Sequence, residues 1–584
     1  MLRNFMRSPF VICSAVAVLC ALSGVAAAQP AFHDVVSVTG GTFPGDPNAT
    51  YSSFWEQTHQ SPLGNQVFYT AYLSGPGISI GNNATIFSGP ADSPNLIIRS
   101  GSAAPGLAGM TLKSWHSPIV SETGNLTLIG ILSGPGITNL VNDRVIYAGT
   151  PGLLSPMLRD GQAAPLMGAG VTIKRIGTLE NNGNSISSFF CRLQGTGITQ
   201  DVNDGIFYYG AANGPQKLLR MGEQASGLAS GVQYHVVHAE HHISNSGKVG
   251  FVVHLQGAGV TLANNQAAYV GTPGNLTMLL RTGTQAPGQA AGTVVSEIDY
   301  SYSINNSGYQ TFNGRLAGTG VTTANDSMMF ASLPGGPVIF AREGLQAPGL
   351  ASGIVFDSME WDDTPLAVIG AGNRIMMNAT LKGNGVTTAT DSGLWAGTAN
   401  SMQLLARESG PVPGHGGAVV WRTLTSPHMA SNAVGQVVFH ATMTRLATSE
   451  ELYGVFVVEP WGETRAVVQT GDTLMLGTGD YRVVKRVVQG YANGGEMGGK
   501  SILTDSGLLM TNVVFMDNTS AIVRFDVNRV CPADFDSSGF VDTEDYDAFV
   551  EAFEAGVNAA DFDKSGFVDT DDFDAFVEAF TQGC

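Results

Sequence analysis

Charge is scarce in this chain: Asp, Glu, Lys and Arg make up 13% of 584 residues. Cysteine is scarcer still, with five. Past residue 28, no apolar run approaches the length that spans a bilayer, so no transmembrane segment is expected. No nucleophile elbow, phosphate-binding loop or dinucleotide fingerprint stands where its chemistry needs it. The formal charge of −19 is concentrated at one end, because residues 531–584 hold fifteen Asp and Glu against one Lys. The remainder is nearly neutral, which excludes nucleic-acid binding through a broadly basic face.

What is abundant is glycine, 75 residues of it, and it recurs in phrases. Arg281-Thr-Gly-Thr-Gln-Ala-Pro-Gly288 returns at Arg99, Arg159, Arg220, Arg342 and, loosened, at Arg407, at intervals of 60, 61, 61, 61 and 65 residues. Degenerate copies lie at 39–45 and 469–474. A fixed period of this length marks a repeat architecture. Within one period, Val171–Thr178, Ser185–Leu193, Gly205–Tyr209 and Lys217–Met221 read as four short strands joined by Gly/Asn turns, an antiparallel meander. The turn before the second strand recurs at Gly64, Gly124, Gly183, Gly247, Gly308, Gly372, Gly435 and Gly507. Its chemistry is that of a tight turn with positive φ, and it is read as structural.

Eight copies stop short of a last fourth strand, while His33–Val38 supplies a spare one. The expected fold is therefore all-β: an eight-bladed β-propeller over residues 29–530, closed by its N-terminal strand so that no sheet edge is left open. An open β-solenoid, or seven blades without the divergent seventh copy, are the alternatives. Residues 1–28 read as a secretory signal, with Arg3 and Arg7 before an apolar core and Ala26-Ala-Ala28 at its end. Secretion, to the extracellular space or the cell surface, is the expected localisation.

Asn182-Gly-Asn, Asn245-Ser-Gly-Lys-Val-Gly-Phe251 and Asn306-Ser-Gly-Tyr-Gln-Thr-Phe312 resemble the NxxGxxAF tandem repeats of exported bacterial "choice-of-anchor" proteins. That resemblance implies export and a C-terminal anchoring device, with no established activity.

First strands line the channel of a propeller, and counting nine residues back from each turn glycine selects Trp55, Trp115, Lys174, His238 and Asp299. With the neighbouring His-rich run, the candidate channel site is Trp55, Trp115, His238, Glu240, His242 and Asp299, suited to a glycan or peptide ligand. His238, Glu240 and His242 would share one face of a regular strand, at a spacing stretched for chelation. The repeated arginines read as structural. An enzyme is not demanded; if there is one, a glycan hydrolase or lyase fits best.

The acidic tail, residues 531–584, is specific. Asp534, Asp536, Ser538, Asp542 and Asp545 fall at positions 1, 3, 5, 9 and 12 of a loop, with the Phe540 carbonyl at 7 and Gly539 at the sharp turn. Asp561, Asp563, Ser565, Phe567, Asp569 and Asp572 repeat the pattern 27 positions later. Hard oxygen ligands at this spacing suit two Ca²⁺ ions. Each loop leads into a helix carrying Asp-Ala-Phe-Val-Glu-Ala-Phe, whose Phe549/Phe553 and Phe576/Phe580 pairs would form a small core. Cys531 and Cys584 bracket the segment and suggest a disulfide clasp.

This double loop resembles a type I dockerin, and its Cys531-Pro-Ala-Asp opening and Gly583-Cys584 ending are similar to the GC-type variant. The resemblance implies a cohesin-like partner contacted through Thr543, Glu544, Thr570 and Asp571. The reading as a whole is an exported, non-catalytic binding or scaffold protein held by a Ca²⁺-dependent docking module; the alternative is a secreted polysaccharide-active enzyme recruited by that module.

Overall fold

The computed structural model describes residues 33–582, except 44–45, 56–57, 211–213, 358, 360–366, 425–428, 461, 478, 489–500, 529–532, 534, 536–540, 558–559, 561 and 563–566, and except the side chains of 237–240, 300–302 and 582. Among these residues the backbone forms eight antiparallel sheets and two helices, α1 (Thr543–Glu554) and α2 (Thr570–Gln582). The first 28 residues and both tail cysteines lie outside the described set, so the signal, the clasp and most of the proposed Ca²⁺ ligands are not described.

Blade 3 shows how the period becomes a sheet. Its strands are Val171–Asn181, Ser187–Gly195, Gly205–Gly210 and Gln216–Arg220, paired in sequence order. The first is longer than its pattern suggests because it carries two irregularities, at Ile173/Arg175 and Ile176/Leu179. After the second strand the chain must turn tightly against the start of the first. A Cβ on Gly195 would run into the Gly170 carbonyl, and Gly195 sits at φ 117°, where a side chain is strained. The recurring arginines hold the same turn in six blades. Their Nε groups donate to the carbonyl 17 residues earlier, as in Arg281 to Asn264 (2.9 Å) and Arg342 to Asn325 (2.8 Å).

Packing makes the sheets a ring. Eight apolar cores lie between successive blades, not within them. One joins Phe190 and Phe207 of blade 3 to Val232 and Phe251 of blade 4. Another joins Tyr51 and Phe87 of blade 1 to Met510 and Ile522 of blade 8. The divergent seventh copy forms a full sheet, Val419–Thr423 and Met429–Ser431, Val437–Arg445, Glu450–Val458 and Thr464–Gln469, and shares cores with both neighbours. The architecture is an eight-bladed β-propeller. His33–Val38 lies beside Ser520–Asp526 of blade 8, with Val35 opposite Val523.

A collar of turns ties the blades together at one face. Asn182 Nδ2 donates to the Ser244 carbonyl (3.0 Å), while its Oδ1 accepts from the Asn184 and Ile186 amides, both at 3.0 Å. Asn305 reaches the Gly370 carbonyl (3.2 Å) in the same way. Glu122 takes the Ser61 hydroxyl (2.8 Å) and the Leu63 amide (2.5 Å) of blade 1, and the Asp505 amide of blade 8 donates to the Pro62 carbonyl (2.7 Å). The turn glycines are thus structural, as their chemistry suggests. One needs correcting: the positive-φ residue of the blade 3 turn is Ser185 (φ 62°), not Gly183. Gly183 is instead pressed toward blade 1, where a Cβ would lie 3.1 Å from Pro62 Cγ.

Candidate functional site: the channel-lining strands

Each first strand is the inner edge of its sheet, with a neighbouring blade on either face and the second strand on one side. Its remaining open direction is the channel. Pairing fixes which residues are equivalent. The residues opposite Ala71, Gly130, Cys191, Val253 and Gly314 are Phe54, Trp115, Ile176, Val237 and Ile298. All those with described side chains are buried, and Met359, Leu424 and Val487 hold the same place in blades 6 to 8.

Trp115 therefore does not line the channel. It is 5% exposed, packed among Phe68, Leu112 and Tyr147 between blades 1 and 2. The channel residue is the next one along: Trp55, His116, Gly177, Asp299 and Val488. Counting back nine residues finds Trp55 and Asp299 but slips in blades 2 and 3. The reason is a bulge of variable length between this position and the turn. In blade 2 His116–Ile119 opposes Ile129–Thr127, three steps against two; in blade 4 Val237–His241 opposes Val253–Phe251, four against two. A fixed offset from the turn cannot survive that variation, whereas the buried apolar residue before the bulge would have given the register.

The His-rich run lies on the same bulge. Two extra residues lie between Val237 and His241, so the backbone there is not the regular strand on which a shared face was expected. The side chains of His238 and Glu240 are outside the described residues. His241 is a structural histidine, 2% exposed, with Nε2 at 3.1 Å from the Ser188 carbonyl and its ring edge-on to Phe207 (4.8 Å). His242, Trp55 and Asp299 are half-buried.

A second bulge, nearer the start of each first strand, was not singled out from sequence. It skips one residue per blade in the ladder: Ser52, Lys113, Lys174, Ser296, Arg422 and Lys485. His235 and Asp357 occupy the place in blades 4 and 6. This ring lies at the mouth opposite the collar. Lys113, Lys174, Arg422 and Lys485 are exposed. Arg422 pairs with Glu451 (2.8 Å) and Lys485 with Asn518 (2.8 Å).

Beside this ring, Arg175 of blade 3 reaches two carboxylates of blade 2, Asp143 (2.5 Å) and Asp160 (3.1 Å). Burial pushes Asp160 up to about 6, against the pull of the Ile176 amide and Arg175. Partial burial, then the positive charges of Arg144 and Arg175, hold the His116 imidazole below its usual range. A separate open groove of about 550 Å³ runs between blades 6 and 7 past Gly372, Gln403 and Val434. Its Arg374 is engaged, donating to the carbonyls of Glu459 (3.1 Å) and Pro460.

In the C-terminal module, Phe549 and Phe576 stack at 4.0 Å with rings 7° from parallel. Phe553, Phe573 and Phe580 pack around them. The helix starts are built alike. The Asp542 amide donates to Asp545 Oδ2 (2.9 Å) and the Glu544 amide to Asp542 Oδ1 (2.8 Å); Asp569, Asp571 and Asp572 repeat both bonds at 2.8 and 2.9 Å. Asp545 and Asp572 are fully buried, whereas Thr543, Glu544, Thr570 and Asp571 are exposed. Among the described residues no three His, Cys, Asp or Glu form a metal cluster, and no helix is long and apolar enough to cross a membrane.

The propeller matches a family of unknown function (DUF7453) over residues 27–361 and 341–525. The chain belongs to that family. No curated protein matches it. Among solved structures it is similar to an acylaminoacyl peptidase of Pyrococcus horikoshii, at 10% identity and TM-score 0.33, covering 71% of this chain and 54% of that one. It is also similar to an α-L-arabinofuranosidase of Fusarium graminearum, at 8% identity and TM-score 0.25, covering 64% and 99%. A third is an α-L-arabinanase of Penicillium chrysogenum, at 11% identity and TM-score 0.24, again covering 64% and 99%. The chain spans about half of the peptidase's length. Likenesses this loose carry no inference about activity.

Proposed function

We propose that this family member is an exported binding or scaffold protein whose C-terminal module docks in a Ca²⁺-dependent manner to a cohesin-like partner. The observation that carries the reading is the duplicated helix start with a fully buried carboxylate at Asp545 and again at Asp572. At each start two carboxylates are drawn together by the same pair of amide hydrogen bonds, Asp542 with Asp545 and Asp569 with Asp572. Here residues 531–584 offer one basic side chain, Lys564, against fifteen acidic ones. Paired carboxylate oxygens in so acidic a segment suit a hard divalent cation. Asp542 and Asp545, and Asp569 and Asp572, are the described groups that would hold it, together with the Phe567 carbonyl; the remaining sequence-assigned ligands lie outside the described residues.

The exposed first turns, Thr543-Glu544 and Thr570-Asp571, present equivalent surfaces to a partner. The near-identity of the two halves allows docking in either orientation. The pairing of His33–Val38 with blade 8 reads as the clasp of the ring, which would keep the propeller rigid while the module is engaged. A polysaccharide-active enzyme remains the alternative, and Asp299 is the one carboxylate among the channel positions described above.

Calorimetric titration of the full chain with Ca²⁺ tests the reading. Two sites are expected, with one lost in Asp545→Ala and the other in Asp572→Ala. Absence of binding at millimolar Ca²⁺ would sink the docking assignment.

A further inference from the structure

The bulge ring at the propeller mouth has a composition that the scaffold reading does not need. Residues 29–530 contain 25 Lys and Arg, about one in twenty. Yet four of the eight equivalent ring positions are Lys113, Lys174, Arg422 and Lys485, and a fifth is His235. These five lie in blades 7, 8, 2, 3 and 4, whereas the ring position is Ser296 in blade 5 and, in blade 6, Asp357, which pairs with Lys382 (3.0 Å). The ring therefore carries a basic arc. Lys113 and Lys174 are exposed and make no hydrogen bond or ion pair among the described residues. His235 has an Nδ1 that is buried without a hydrogen-bond partner. Trp55 sits half-buried at the channel position of blade 1, inside the span of the arc.

We infer that the basic arc is a binding site for an acidic polysaccharide, with Lys113 and Lys174 engaging its carboxylates or sulfates and Trp55 stacking on a sugar ring. The chemistry follows from the bulge. An extra residue in an edge strand leaves the ladder and turns away from the sheet. At this level the side chains emerge on the face opposite the collar, where Arg422 and Lys485 lie across the second strand toward Glu451 and Asn518, while Lys113 and Lys174 are left exposed. Lys113 and Lys174 thus stand at equivalent places in adjacent blades, a spacing suited to an extended polyanion and not to one small anion. Clefts lined with one sign of charge concentrate ligands of the other. An aromatic face beside ammonium groups suits a charged sugar, whose ring has an apolar side and an ionised edge. The site is separate from the C-terminal module and stands whether or not that module docks.

The test uses the full secreted chain in excess Ca²⁺. Binding of polygalacturonate, a sulfated glycan, neutral arabinan and single-stranded DNA is compared by calorimetry. The acidic glycans are expected to bind and arabinan is not. Affinity should fall as salt is raised from about 50 to about 300 mM. Lys113→Glu/Lys174→Glu should weaken binding at least about tenfold, because reversal turns attraction into repulsion, and Trp55→Ala should weaken it independently of salt. Lys217→Glu, on the outer strand of blade 3, should bind like the wild type. Unchanged affinity in the double variant, with its melting profile intact, would overturn the proposal. So would preference for DNA or arabinan, or no binding of any polyanion at low salt. Polygalacturonate against the sulfated glycan separates the two sources of negative charge.

Discussion

Trp115 and His116 are adjacent, yet the propeller gives them opposite duties, and truncating each in turn tests the register on which the channel assignment rests. Trp115 fills the apolar place between blades 1 and 2 and is 5% exposed. Removing its indole takes away roughly 200 Å² of buried surface and opens a cavity among Phe68, Leu112 and Tyr147 that rigid strands close poorly. For Trp115→Ala the expected loss is about 3–5 kcal/mol. His116 is exposed on the channel side, and His116→Ala should change stability by no more than about 0.5 kcal/mol. Urea unfolding of the full chain, followed by far-ultraviolet circular dichroism, reads both. The Trp115→Ala midpoint should fall by up to about 1 M, while His116→Ala tracks the wild type. A small loss at Trp115 with a large one at His116 would mean that the first strand of blade 2 is shifted by one residue, and the channel set would then be wrong.

Burial pushes the Asp472 carboxyl up to about 7 from 3.8, against one amide bond from Gln469. The folded state prefers its protonated form, so this stabilisation is complete below pH ~4 and is lost as pH rises through about 7. Asp472→Asn should flatten the fall in melting temperature between pH 5 and 8 relative to wild type, a difference of about 3 kcal/mol at most. Asn182→Ala cuts the collar between blades 3 and 4 and leaves buried amide and carbonyl groups without partners. A loss of about 2 kcal/mol is expected in the same unfolding assay. Chelation of Ca²⁺ should remove the helical signal of α1 and α2 while leaving the β signal of the propeller intact; coincident loss of both would show that the two parts fold as one unit.

Much of this protein is legible in its sequence, for a physical reason. A repeat of about sixty residues imposes the same local solution each time, so turn glycines, strand order and blade number are fixed by short-range chemistry. Gly195 must be glycine because its turn brings it against the Gly170 carbonyl, and Arg281 recurs because its guanidinium tethers the chain 17 residues back. The twin helix starts of the tail are equally local. What counting could not supply is the register inside the first strands. Bulges there differ by a residue or more between blades, and each extra residue turns the following side chains from core to channel. That choice is made by the neighbouring blade: the space between blades 1 and 2 accepts Trp115, leaving His116 to the channel. The basic arc is invisible for the same reason. Lys113, Lys174, Arg422 and Lys485 are scattered over the chain and become one surface only when the ladder skips each of them at the same level of a ring.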